Sequence, residues 1–146
     1  MNGVFAATAS LPLDSAEGFL RGLRAQHPTL IVQLLAMDSV PPGRAVAMIA
    51  EQTLRARRTG AMLADKPEVD LLLRLAGTNQ ISAAIEKAGY RSGGAMVLVA
   101  AGPSPGIRAL RRELSGDGRI AGLPDQELDG DALDLVDAAA LLGTKT

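Results

Sequence analysis

The apolar run "AMVLVAA", from Ala95 to Ala101, constrains the fold of this chain more than any other stretch. It has the length of a strand, but it lacks the polar and apolar alternation of a strand with one exposed face. A strand that is apolar on both faces must be covered on both faces. The run therefore predicts the central strand of a sheet, and the rest of the chain must supply the helices that cover it.

Two other segments are predicted to be strands, Val4–Ala9 and Leu30–Met37. Helix periodicity and helix start and stop signals predict five or six helices. They lie at residues 14–24, between "DSVPPGRA" and "ARRTG", within "ADKPEVDLLLRLAG", within "ISAAIEKAG", from Ser104 to about Leu114, and at residues 131–142. We find no internal repeat and no flexible linker. A chain of 146 residues is typical of one domain. We therefore predict a single domain over residues 1–146, of the α/β (α+β) class, with a small mixed sheet flanked by helices.

Composition argues against several classes of function. The chain has no cysteine, which excludes disulfides, thiolate nucleophiles and cysteine-based zinc sites. The single histidine, His27, precedes a proline in a predicted loop, and no nucleophile motif accompanies it. The acidic stretch "DQELDGD" resembles the start of a calcium loop, but Val136 stands where that loop needs glutamate. We expect a protein that is not an enzyme, with no catalytic residue, metal, cofactor or small-molecule substrate.

The location of the protein is predicted from the same composition. No apolar run reaches the length of a membrane span, and the N-terminus lacks the basic start of a signal peptide. The absence of cysteine suits a reducing compartment. We therefore expect a cytoplasmic protein with no membrane partner.

Charge is unevenly distributed along the chain. The segment from Asp117 to Asp137 holds seven acidic residues and one base, Arg119, whereas the preceding part is mildly basic. Such a division can present different faces to different partners, although an acidic surface helix explains it equally well. Aromatic residues make up only 2% of the chain, so stacking of single-stranded bases on aromatic rings is not expected.

A polar corner lies between the third and fourth predicted helices, in "LAGTNQISAAIEKAG". Gly77 suits the left-handed end of one helix, and Gly89 ends the next. Between them Thr78, Asn79 and Gln80 precede a helix in which Ile81, Ala84, Ile85 and Ala88 lie on one stripe. Thr78 or Asn79 can serve simply as the cap of that helix. The same corner can also present a helix N-terminus and polar side chains to a phosphate.

The order of these motifs resembles the small regulatory subunit of the KEOPS complex, the TPRKB-like family. The resemblance is carried by "LLLRLAGTNQISAAIEKAG" followed by "AMVLVAA", and upstream by "VQLLAMDSV" before an alanine-rich helix. It covers Leu30 to Ala101 and, more loosely, the whole chain. Family members often carry glutamate where Asp70 stands and a basic residue where Asn79 stands.

The resemblance implies a function that the residues alone do not indicate. KEOPS adds threonylcarbamoyl to an adenosine beside the anticodon of tRNA, and other subunits perform the chemistry. The TPRKB-like subunit would bind and activate the kinase-like ATPase subunit and, in archaea, help recruit tRNA by its acceptor end. The residues that would contact RNA are those of the corner and nearby arginines: Arg74, Thr78, Asn79, Gln80, Arg55, Arg58 and Arg91.

A second resemblance gives an alternative. "GTNQISAAIEKAG" and the following apolar strand also look like the kink-turn RNA-binding proteins of the L7Ae type. Those proteins use Asn-Glu at the corner and lysine soon after it. Here Gln80 replaces the glutamate, and Ala83 and Ala84 occupy the lysine region. Binding of a kink-turn also requires basic residues that neutralise RNA phosphates. This chain does not have enough basic residues beyond those that balance its acidic ones.

Overall fold

The sheet has four strands in the order β2-β3-β1-β4 in a computed structural model of the chain, which describes residues 1–37, 43–90, 95–122 and 130–142. The strands are β1 (Asn2–Ser10), β2 (Ile31–Ala36), β3 (Ala95–Pro103) and β4 (Ile120–Gly122). The apolar run lies in β3, an inner strand, which confirms its predicted place. The α/β (α+β) class is confirmed as well.

All the described strand pairings are antiparallel, which corrects the predicted mixed sheet. β1 pairs with β3 over nine residues, from Asn2 opposite Pro103 to Ser10 opposite Ala95. β2 pairs with the other edge of β3, and β4 pairs with β1. β1 and β2 run in the same direction, but β3 lies between them. No parallel neighbours therefore arise among the described strands.

Six helices surround the sheet in the described part of the chain. They are α1 (Leu13–Gln26), α2 (Gly43–Thr59), α3 (Pro67–Ala76), α4 (Ile81–Ala88), α5 (Ser104–Leu114) and α6 (Gly130–Leu142). Within the described ranges, no helix combines the length and the apolar character that a membrane crossing requires.

The helices form two layers because the side chains of β3 alternate between the two faces of the sheet. Val97, Val99 and Ala101 belong to the core under α2, α3, α4 and α6. Met96 and Leu98, with Ala100, belong to the core under α1 and α5. All six residues are buried, so the apolar run is covered on both faces, as its composition predicts.

The edge strand β2 is closed to further pairing at several points. Arg24 donates from Nε and Nη2 to the Val32 carbonyl at 3.0 and 2.8 Å. The Leu34 N–H donates to the side chain of its neighbour Gln33 at 3.1 Å. The chain after α4 then forms a bridge between Gly89 and Leu35. These contacts protect the edge from another strand and fix the end of α4 against the sheet.

Candidate nucleic-acid interface

The corner between α3 and α4 begins with a left-handed residue. Gly77 has φ 73° and ψ 29°, and its N–H donates to the Arg74 carbonyl. The N–H of Thr78 donates to the Leu73 carbonyl at 3.1 Å. Lys87 reaches back from α4 and donates to the Ala76 carbonyl at 3.0 Å. Three carbonyls at the end of α3 therefore accept hydrogen bonds within the protein, and the chain turns sharply into α4.

Thr78 shapes the turn without capping α4. Its hydroxyl oxygen accepts the N–H of Gln80 at 3.2 Å, which is a local turn of the serine–threonine type. The residue at the cap position of α4 is Gln80, and no side chain hydrogen-bonds there as a cap. Capping by Thr78 or Asn79 is therefore not the explanation of the corner. The donors of the first turn of α4 have no side-chain acceptor from the cap residue.

The surface of this corner is polar and exposed. Asn79 and Gln80 are exposed, and Thr78 is half-buried. The first turn of α4 contains no acidic residue, so its positive dipole end is not offset locally. Ile81, the first residue of the helix, has a relative exposure of 51%. We define the corner surface as Thr78, Asn79, Gln80 and Ile81.

Arg74 does not belong to that surface, which corrects its predicted contact with phosphate. It is only 4% exposed. Its Nε donates to Asp70 Oδ1 at 2.8 Å, its Nη2 donates to Asp70 Oδ2 at 3.3 Å, and its Nη1 donates to the Ala139 carbonyl at 3.1 Å. Asp70 also accepts from the Thr53 hydroxyl and the Leu63 N–H. The guanidinium therefore joins α2, α3 and α6 in the interior.

Arg55 and Arg58 lie on α2 and are exposed, whereas the corner joins α3 and α4. Arg55 lines a cavity of about 190 Å³ together with Arg74. The guanidinium of Arg74 lies against Asp70, which is near the start of α3. The corner follows the other end of α3, a helix of 10 residues that is about 15 Å long. The predicted set therefore separates into the corner surface and two arginines on α2. The seventh predicted residue, Arg91, lies outside the described residues.

A feature that the sequence did not reveal is the exposed apolar side of α4. Ala84 and Ala88 are fully buried, whereas Ile81 and Ile85 are 51% and 57% exposed. The stripe is therefore divided: Ala84 and Ala88 contact the core, where their small side chains allow close helix packing, and the two isoleucines stay exposed. The only signal in the sequence was this alternation of large and small apolar residues along one stripe.

Ile85 opens onto a groove of about 590 Å³ between α1, α3 and α4. Its apolar lining includes Leu20, Val69, Leu72 and Tyr90. Charged residues also line the groove: Glu17, Arg21, Arg24, Lys66 and Glu68. The lining thus combines apolar side chains with charges of both signs.

His27 ends α1, and its Nε2 lies 2.6 Å from Glu113 Oε2 of α5. This contact ties the two helices of one layer together. Among the residues that the structure describes, no group of three or more His, Cys, Asp or Glu side chains is placed to hold a metal ion.

Comparison with models of protein families and with curated proteins gives no match to this chain.

Proposed function

We propose that the chain is a non-catalytic subunit of a KEOPS complex, acting in the cytoplasm in the modification of tRNA to threonylcarbamoyladenosine. It binds and activates the kinase-like ATPase subunit, and it helps recruit tRNA by the acceptor end. The observation that carries this proposal is the corner surface. It combines a helix N-terminus without a side-chain cap, two exposed amide side chains and no nearby acid in its first turn.

These groups suit the single-stranded end of an RNA. Backbone N–H groups at a helix N-terminus can donate hydrogen bonds to phosphate oxygens, and the helix dipole favours negative charge there. The amides of Asn79 and Gln80 each offer donors and an acceptor, so they can pair with sugar or base edges. Ile81 adds an exposed apolar surface beside them.

The kink-turn alternative receives less support from the same corner. Proteins of that type need cations on the helix that follows the corner. The described helix α4 carries one base, Lys87, whose ammonium group is bound to the Ala76 carbonyl at the end of α3. Ser82 and Ala83, the exposed positions closest to the corner, carry no charge.

The kinase-like subunit is proposed to dock in the groove beside α4. Ile85 is the most exposed large apolar residue of α4, and it lines that groove. An apolar side chain that is 57% exposed gains favourable burial when a partner covers it. The groove lies at the opposite end of α4 from Asn79 and Gln80, so one helix would contact both partners.

The docking proposal is tested with Ile85→Glu in an ATPase assay without tRNA. Ile85→Glu removes the exposed apolar side chain and adds a charge that the partner must desolvate, so it should weaken binding of the kinase-like subunit by at least tenfold. Stimulation of ATPase activity should fall accordingly. Ala83→Glu, which adds the same charge at an exposed position of the same helix, should stimulate normally.

Two results count against this account, and they differ in what they contradict. If Ile85→Glu and Ala83→Glu both stimulate like the natural chain, the groove is not the docking surface. If the natural chain neither binds the kinase-like subunit nor raises its ATPase activity, the proposed function itself is contradicted.

A further inference from the structure

The solvent side of α5 is cationic and lies on the other face of the sheet from the corner surface. Arg108, Arg111 and Arg112 are all exposed, while Ile107 and Leu110, with Leu114, face the core. The only acid of the helix, Glu113, is held by His27. Arg108 and Arg112 are one turn apart, and neither makes an ion pair or side-chain hydrogen bond within the described ranges. Like charges at this spacing repel each other, so they favour an anionic partner.

Arg111 is held differently from its two neighbours. Its guanidinium carbon lies over the ring of Phe5 in β1, 5.2 Å from the ring centroid. This cation–π contact holds the planar group against β1. A guanidinium plane of this kind is a surface on which an unstacked base can stack. The chain has few aromatic residues on which bases could stack, but an arginine held by an aromatic ring can provide a stacking surface instead.

A small cavity lies beside this contact. It has a volume of about 170 Å³ and is lined by Phe5, Arg111, Leu114 and Ile120, among others. One water molecule occupies roughly 30 Å³ in the liquid, so the cavity has room for part of a flat ring. Arg119, the residue before Ile120, already has an anionic partner, because its Nη2 lies 2.8 Å from Asp117 Oδ2.

We propose that this α5 face is a binding site for single-stranded RNA, in which a base stacks on Arg111 while Arg108 and Arg112 contact phosphates. The proposal does not depend on the proposed function. That function is carried by the corner surface, which lies on the other face of the sheet from α5. RNA is favoured over an acidic protein segment because the guanidinium of Arg111, held over Phe5 beside a small cavity, offers a stacking surface that a base can use and a carboxylate cannot.

The test measures binding of a labelled, unstructured oligoadenosine over a series of salt concentrations, beside inorganic polyphosphate as a probe that has no bases. Arg111→Lys keeps the positive charge but removes the planar guanidinium group. It should weaken oligoadenosine binding roughly fivefold or more, leave the salt dependence unchanged, and leave polyphosphate binding intact. Arg108→Lys is the matched control, and it should bind both probes like the natural chain because a phosphate contact needs only charge.

The phosphate contacts are tested with Arg108→Gln combined with Arg112→Gln. Loss of two contacts to a single strand should reduce the slope of log affinity against log salt by roughly 1.4. The proposal is overturned if Arg111→Lys and Arg108→Lys behave alike, or if a polyglutamate peptide competes as well as RNA does. It is also overturned if Asn79→Glu, rather than the α5 variants, abolishes oligoadenosine binding, since the single strand would then bind at the corner surface.

Discussion

Arg74 and Asp70 form the ion pair on which the helical layer depends. The side chain of Asp70 is fully buried, and it accepts hydrogen bonds from Arg74, Thr53 and Leu63. Replacement by Arg74→Met would leave this carboxylate without its countercharge. We expect a loss of about 3–5 kcal/mol in the free energy of unfolding, because a buried charge that loses its partner is costly. Urea denaturation followed by circular dichroism measures this loss.

The matched control is Arg58→Met, the same chemical change at an exposed position of α2. It should alter the free energy of unfolding by no more than about 0.5 kcal/mol. Equal losses for the two variants would contradict the structural role of Arg74. The prediction also means that weakened tRNA binding by an Arg74 variant would report unfolding rather than a lost phosphate contact.

The sequence could show that Asp70 and Arg74 share one helix face, but not what the pair does. Their i, i+4 spacing suits either an exposed pair or a buried one. The deciding partners, Thr53 and the Ala139 carbonyl, come from α2 and α6, which lie far away in the sequence. The sequence pattern therefore led to Arg74 being predicted as an RNA contact, although Arg74 belongs to the core.

At the scale of elements, the junction of α3 and α4 depends on Gly77. Its φ of 73° is strained for a residue with a side chain, and a Cβ there would lie 3.2 Å from Leu135 Cδ1 of α6. We expect Gly77→Ala to reduce the free energy of unfolding by about 1–2 kcal/mol, plus the cost of the contact with Leu135. Gly60→Ala is the control, because Gly60 has φ 75° but a Cβ added there would meet open space.

The comparison of the two glycine variants separates backbone strain from packing. Chemical denaturation should rank Gly77→Ala as less stable than Gly60→Ala. The reverse order, or equal stability, would show that Leu135 of α6 does not pack against Gly77 as the structure describes.

Element bounds were largely predictable because their signals are local. Pro67 and Gly77 correctly marked α3, and Gly89 correctly marked the end of α4. The buried face of α4 was less predictable, since Ile81, Ala84, Ile85 and Ala88 fit one stripe equally well. Which half of that stripe faces the core depends on how closely α4 approaches its neighbours, and that distance is a tertiary property.

For the whole molecule, the apolar run of β3 correctly predicted a sheet covered on both faces. The strand order could not be predicted, because pairing of β3 with both β1 and β2 joins segments that are distant in sequence. The resulting layers separate the corner surface from the α5 face, and the sequence contains no signal of this arrangement. Two RNA contacts on opposite faces would let the protein hold an RNA that wraps around one edge of the sheet.

The measurement that tests the central claim most directly is binding of the protein to tRNA with and without its terminal CCA, beside a kink-turn RNA. We predict tighter binding to the intact tRNA, because the corner surface suits a single-stranded end. Asn79→Glu should weaken that binding by roughly tenfold or more, since it places a negative charge at the helix N-terminus beside a phosphate. Gln26→Glu, an equal charge change on the exposed end of α1, should have little effect. Equal binding with and without CCA, or a preference for the kink-turn RNA, would contradict the account.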